Sequence, residues 1–191
     1  MMVEIGRPRD PRIDGAVLDA TVELLGETDY ASLSVDAIAR RAGTSKPAIY
    51  RRWPSKAHLV HEAVFPVNEA TELPSTGSLR DDVREMMRGT FAVLTTPAAL
   101  AALPGLVAEM AVDPTLHTAL LERFAQVLSH DLTDWLEAAR ERGEVRPEIM
   151  GSDVVDALAG IILLALITHA ETMDEAWMDR IAELISRGIS S

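Results

Sequence analysis

Apolar positions recur along this chain at helical spacing. Val17, Ala20, Thr21 and Leu24 stand at i, i+3, i+4 and i+7, one inward face of a first helix opened by Asp10 as N-cap with Pro11 at its first position. Ser34 can cap a short second helix, VDAIARRA, with Val35, Ile38 and Ala39 inward and Arg40 and Arg41 outward or sideways; Gly43 then breaks the chain. Thr44 or Ser45 caps a third helix, with Pro47 in its first turn and Ile49 as its apolar anchor, and Trp53-Pro54 stops it. Ser55 caps a fourth, carrying Leu59, Val60, Ala63 and Val64. Two short helices joined by a few residues including glycine, followed at once by a basic, tyrosine-bearing helix, make a helix-turn-helix pattern.

The segment FPVNEATELPSTG, with two prolines and little periodicity, divides residues 1–64 from a second domain, 65–191. Beyond it, capping signals predict helices near 78–95, 97–111 (broken at Pro104-Gly105), 114–142, 152–172 and 174–188. The expected fold is all-α, about nine helices, an N-terminal helix-turn-helix domain joined to a C-terminal bundle. The longest apolar run, Ala157–Ile167, is short of the roughly 20 residues that span a bilayer, so no membrane partner is expected. Residues 154–168 are apolar on almost every face, which fits either an enclosed central helix or one that meets its own core on one side and a second copy on the other. The second reading gives a homodimer, with Val155, Leu158, Ile162, Leu166, Ile181, Leu184 and Ile185 as candidate contacts.

Composition narrows the chemistry. Aromatic residues are 4% of the chain, so the core is mostly aliphatic. Cysteine is absent, which excludes disulfides, thiolate metal sites and a cysteine nucleophile and fits a reducing compartment. The N-terminus, MMVEIGRPRDPR, has no apolar signal region, so the expected location is cytoplasmic. GTSKP lacks the final glycine of a nucleophile elbow and follows no strand. No G-x-G pair and no Glu-x-x-His occurs, and His58, His61 and Glu62 lack further metal ligands; no enzyme activity, metal or cofactor is expected.

Charge is divided unevenly. Residues 1–64 hold nine Lys+Arg and nine Asp+Glu, so the remainder carries the whole net charge of −12. Within the neutral part, GTSKPAIYRRWPSK (43–56) has Lys46, Arg51, Arg52 and Lys56 and no acid, which points to an anionic partner. In a recognition helix the first turn approaches base edges, so small or polar residues belong there. Ser45, Lys46, Pro47 and Ala48 meet that need, Lys46 as a donor to guanine and Ala48 against a thymine methyl. Tyr50, Arg51 and Arg52 follow as backbone contacts, and Lys56 adds charge at the start of the next helix. The plain alternative is a solvated basic surface on a three-helix unit.

The run from Ile13 to Val60, above all SVDAIARRAGTSKPAIYRRWPSKAHLV, resembles the N-terminal domain of TetR-type transcriptional regulators: the turn glycine, the Ile49-Tyr50 pair, Trp53 and the Ser-Lys opening of helix four all stand in place. The resemblance implies a homodimeric repressor, less often an activator, whose helical C-terminal domain binds a small effector and lowers affinity for a double-stranded operator. It places base or phosphate contacts at Ser34, Ser45, Lys46, Pro47, Ala48, Tyr50, Arg51, Arg52 and Lys56, with Arg7 and Arg9 as a basic arm. RGEVRPEI followed by two last helices resembles a subgroup that dimerises through those helices. For the effector, Met87, Phe91, Met110, His117, Phe124, Trp135, Thr168, His169, Met173 and Trp177 are candidate lining residues, though Met and aromatics at this spacing also serve as core. The competing class is a helical interaction protein of the same fold that no longer binds DNA.

Overall fold

The computed structural model describes residues 11–66, 73–168 and 173–191, without the side chains of 11, 117 and 119–131. Arg7, Arg9 and His169, and the side chains of His117 and Phe124, therefore lie outside the described residues. Among those described, nine α-helices follow one another: α1 (Pro11–Glu27), α2 (Val35–Arg41), α3 (Lys46–Tyr50), α4 (Lys56–Val64), α5 (Leu79–Leu94), α6 (Pro97–Val112), α7 (Pro114–Glu141), α8 (Gly151–Thr168) and α9 (Glu175–Ile189). The only other regular pairing among them is an antiparallel bridge between Val145 and Ser190.

Local chemistry accounts for the helix starts. Ser34, Ser45, Ser55, Ser78 and Asp174 each hold extended backbone and accept from the N–H three residues on, at Ala37, Ala48, His58, Asp81 and Trp177. Each cap satisfies a donor that the helix cannot, an effect of about 1 kcal/mol. One expected break is absent: α6 runs through Pro104 and Gly105 without interruption. Pro104 and Leu100 are both exposed, so the carbonyl that the proline leaves unbonded lies on the solvent side, where water can satisfy it.

The chain folds as two units, Met1–Pro66 with Pro97–Leu120, and Val67–Thr96 with Leu121–Ser191. The boundary expected from sequence places α6 in the second domain. It packs instead on α1 and α4 of the first, because its buried stripe, Ala98, Ala99, Ala102 and Leu106, joins the core made by Val17, Ala20, Ile38, Ile49, Leu59 and Val60. Small residues let the helix come close: a Cβ on Gly105 would fall 2.1 Å from Cδ1 of Tyr30.

In the second unit, Val83, Met87, Leu136, Val154, Ile162 and Ala182 form the centre of a separate core. α5 and α9 are also joined along their polar edges. Arg80 pairs with Glu183 at 2.9 Å, Arg84 with Asp179 and, at 2.7 Å, with Glu175, and Arg88 with Glu175 at 2.7 Å. The Arg88 guanidinium holds the Glu175 carboxyl below its ordinary range. Deeper in, Asp82 is 1% exposed and accepts from the N–H and hydroxyl of Thr76 (both 2.7 Å) and from Trp135 Nε1 (3.1 Å). Asp82→Ala removes the acceptor for three donors at once, and urea unfolding is expected to show a loss of about 2–4 kcal/mol. A loss within about 0.5 kcal/mol would mean that water replaces the carboxylate at no cost.

Candidate nucleic-acid interface

The turn between α2 and α3 is closed by backbone bonds from Gly43 N–H to Arg40 O (3.4 Å) and from Thr44 N–H to Ala39 O (2.9 Å). Gly43 sits at φ +64°, a left-handed conformation that a side chain resists. Ile38 and Ile49 are buried and anchor the two helices in the core. What remains outside is the opposite face: Ser34, Ser45, Lys46, Pro47, Tyr50 and Arg51 are exposed and Ala48 half-buried. Ser45 Oγ accepts from Ala48 N–H at 3.3 Å and Ser34 Oγ from Ala37 N–H at 3.2 Å. Each hydroxyl keeps its proton to donate outward.

The basic residues divide into two sets. Arg51 has no carboxylate partner among the described residues; its side chain donates at 3.4 Å to Pro47 O and is exposed. Lys46 Nζ donates to Asp36 Oδ2 at 2.8 Å, and that bond raises the lysine's pKa. Arg52 is paired with Asp14 of α1 and is half-buried. Arg41, whose role the sequence left open, forks onto Glu27 at 2.6 and 3.0 Å. Lys56 departs furthest from the sequence expectation. Its ammonium donates to the carbonyls of Tyr30 (2.8 Å) and Leu33 (3.4 Å) and lies 4.1 Å from the centre of the Tyr30 ring. Those bonds turn its charge inward to hold the α1–α2 loop, where the sequence suggests a phosphate contact. Burial, with Glu109 adding to it, raises the pKa of the Tyr30 phenol, so the ring stays neutral. Lys56→Ala should accordingly lower the melting temperature, by about 3–8 °C, more than it changes the salt dependence of DNA binding. A normal melting point with uniformly weakened DNA binding would restore the phosphate role.

Among the effector candidates, Met87, Trp135 and Trp177 are buried in the core of the second unit, and Met110 packs against that of the first. The Trp135 indole is committed to Asp82 and is thus a structural donor. Phe91 and Met173 lie partly buried at the edge of the second core. Thr168 is exposed at the end of α8 and donates to Leu164 O at 2.9 Å. A surface recess of about 460 Å³ in this unit is lined by none of these candidates, but by residues including Gly77, Arg80, Glu144 and Ser191.

The dimer candidates divide as well. Leu158, Ile162 and Ile185 are buried in their own core, whereas Val155, Leu166 and Ile181 are half-buried and Leu184 is 62% exposed. Sequence reasoning missed Leu164 and Ile167, which are 61% and 70% exposed. With Gly160 they repeat at i, i+4 and i+7, a spacing that was visible but hidden by the uniform apolarity of the helix. In α4, His58 Nδ1 lies 2.9 Å from Ser55 Oγ, Glu62 accepts from Trp53 Nε1 at 3.0 Å and His61 stacks edge-on to Phe65, so the three serve local structure.

Comparison with known proteins agrees with this geometry. Residues 17–63 match the family described as "Bacterial regulatory proteins, tetR family" and residues 73–185 match "Tetracyclin repressor-like, C-terminal domain". The HTH-type transcriptional regulator Rv1556 of Mycobacterium tuberculosis is 31% identical over 162 residues, covering 82% of this chain and 79% of that protein. The DNA-binding transcriptional repressor TetR of Mycobacteroides abscessus is 31% identical over 178 residues, 88% of each. The crystal structure of the TetR family transcription regulator SCO0332 superposes with a TM-score of 0.71 at 29% identity, over 93% of this chain and 98% of that one. With the helix-turn-helix and the following domain both matched, the chain belongs to the TetR family and is a DNA-binding transcriptional regulator.

Proposed function

We propose that the protein is a ligand-responsive repressor that binds a near-palindromic operator as a homodimer, the first unit reading DNA and the second pairing the copies and sensing an effector. The observation that carries the DNA-reading part is the exposed first turn of α3, with Ser45, Lys46 and Pro47 outward while Ile49 is locked in the core. Two such turns related by a two-fold axis would enter successive major grooves about 34–36 Å apart. Pairing through α8 and α9 is supported by the exposed Leu164, Ile167 and Leu184. The sign of regulation rests on the repressor among the relatives, and effector sensing rests on the family and on the apolar edge around Phe91 and Met173. An effector can act only through its different affinity for the DNA-binding and the released states.

Selection of bound duplexes from a random-sequence pool tests the reading: a palindromic consensus is expected, and failure to enrich any sequence at low salt would overturn it. On the selected duplex, Lys46→Ala should cost about 1–3 kcal/mol and relax one base position. Arg51→Ala should weaken selected and scrambled duplexes alike and lower the salt slope by about one. Equal effects of the two substitutions on both duplexes would contradict these roles.

A further inference from the structure

We infer that Asp36 is a specificity-determining residue of the DNA interface: by holding the ammonium of Lys46 it orients that group as a base reader and weakens binding to arbitrary phosphates. The inference rests on the DNA-binding reading of α3 and adds a role for a residue that makes no base contact of its own.

The segment from Val35 to Arg52 carries five basic residues and a single acid, Asp36. An acid on a surface that must meet a polyanion opposes binding to every duplex, whatever its sequence. Its position gives it a compensating use. Asp36 lies in the first turn of α2 and Lys46 opens α3, and the 2.8 Å bond ties the starts of the two helices together. Both side chains remain about half exposed, 46% for Lys46 and 56% for Asp36, so the pair sits on the outer face.

The chemistry of the pair has three effects. A lysine ammonium has three N–H donors; with one given to Asp36, two remain, enough for O6 and N7 of one guanine. The flexible stem is already held near one geometry before DNA arrives, so less side-chain freedom is lost on base contact. The neighbouring carboxylate cancels much of the ammonium's charge, so a phosphate gains little by approaching it. A phosphate oxygen would have to displace Asp36, whereas a base edge can be read with the pair intact. Arg51, the C-cap of the same helix, shows the contrast, since no carboxylate faces it among the described residues and its charge is available to any phosphate.

The test measures affinity for the duplex selected by the wild-type protein and for a scrambled duplex of the same composition, across a salt series. Asp36→Asn should tighten binding to the scrambled duplex about three- to tenfold at low salt and change the selected duplex by less than about threefold. The ratio of the two affinities should therefore fall, and the salt slope on scrambled DNA should steepen by about one. In a Lys46→Ala background, Asp36→Asn should leave the ratio unchanged, because the group it orients is gone. An Asp36→Asn variant that tightens both duplexes equally would reduce Asp36 to general repulsion and overturn the proposal. The same fall in ratio with and without Lys46 would overturn the route through that lysine. Wild-type protein that enriches no duplex would instead remove the DNA-binding reading itself, a result distinct from either. Thermal melting of each variant separates these outcomes from loss of the α2 first-turn charge, which would shift stability and leave the ratio alone.

Discussion

A glutamate in place of Leu164 is expected to leave the protein monomeric at micromolar concentration and to cost it about 10²–10⁴-fold in operator affinity. Leu164 and Ile167 share the open face of α8 with Gly160, and Leu184 is the exposed apolar residue of α9. Side chains of this size left 60–70% exposed carry a standing hydrophobic cost that a second copy would relieve. In a two-fold interface every substitution occurs twice, so two carboxylates would be brought into one dry contact, each with a desolvation penalty of several kcal/mol. Loss of pairing then separates the two reading heads, and the second half-site is no longer held at the millimolar effective concentration that linkage supplies. Light scattering gives the mass and titration of the selected duplex gives the affinity. The melting temperature of Leu164→Glu should stay near that of the monomeric unit, since the side chain is outside the core. Glu at Ile162, which is 0% exposed, should instead unfold the second unit and would mimic monomer formation for the wrong reason. An unchanged solution mass for Leu164→Glu would exclude this face of α8 as the interface.

The difference between Leu164 and Ile162 shows where sequence reading stops. Most helix positions and the caps at Ser34, Ser45, Ser55 and Ser78 were legible because these residues act on their own next turn, a purely local matter. The turn between α2 and α3 was legible for the same reason: Gly43, Ser45 and Ile49 set it within a few residues. α8 was not, because its run from 157 to 167 carries no polar side chain from which to infer the buried face. Pairings over longer separations were also closed to inspection. Lys56 reaches Tyr30 across 26 positions and Trp135 reaches Asp82 across 53, so one lysine counted as a phosphate contact and one tryptophan counted as a pocket wall proved to be internal donors. Asp36 and Lys46 are ten positions apart on different helices, a spacing that no helical period connects.

The packing of α6 gives the second large effect. Gly105→Ala should destabilise the first unit by about 2–4 kcal/mol, seen as a fall in melting temperature of about 5–15 °C. The added Cβ would stand 2.1, 2.4 and 2.9 Å from Cδ1, Cγ and Cβ of Tyr30. The tyrosine has little room to retreat: it is 5% exposed, its N–H donates to Ala101 O at 3.3 Å, and its carbonyl is held by Lys56. Relief must come from moving α6 away from α1 and α4, which opens the packing around Ala102 and Leu106, or from expelling the ring from beneath the Lys56 ammonium. Either route loses apolar burial that the small residues of α6 make possible. Gly89 of α5 provides the control, because nothing lies within 4 Å of the Cβ it lacks. There, alanine should stabilise by about 0.5–1 kcal/mol through helix propensity alone. Opposite signs at the two helical glycines would identify close approach to Tyr30 as the cause at Gly105. A Tyr30→Ala background should then abolish most of the additional loss from Gly105→Ala, since the atoms that clash are gone. If the two losses simply add, the glycine is answering to something other than that ring.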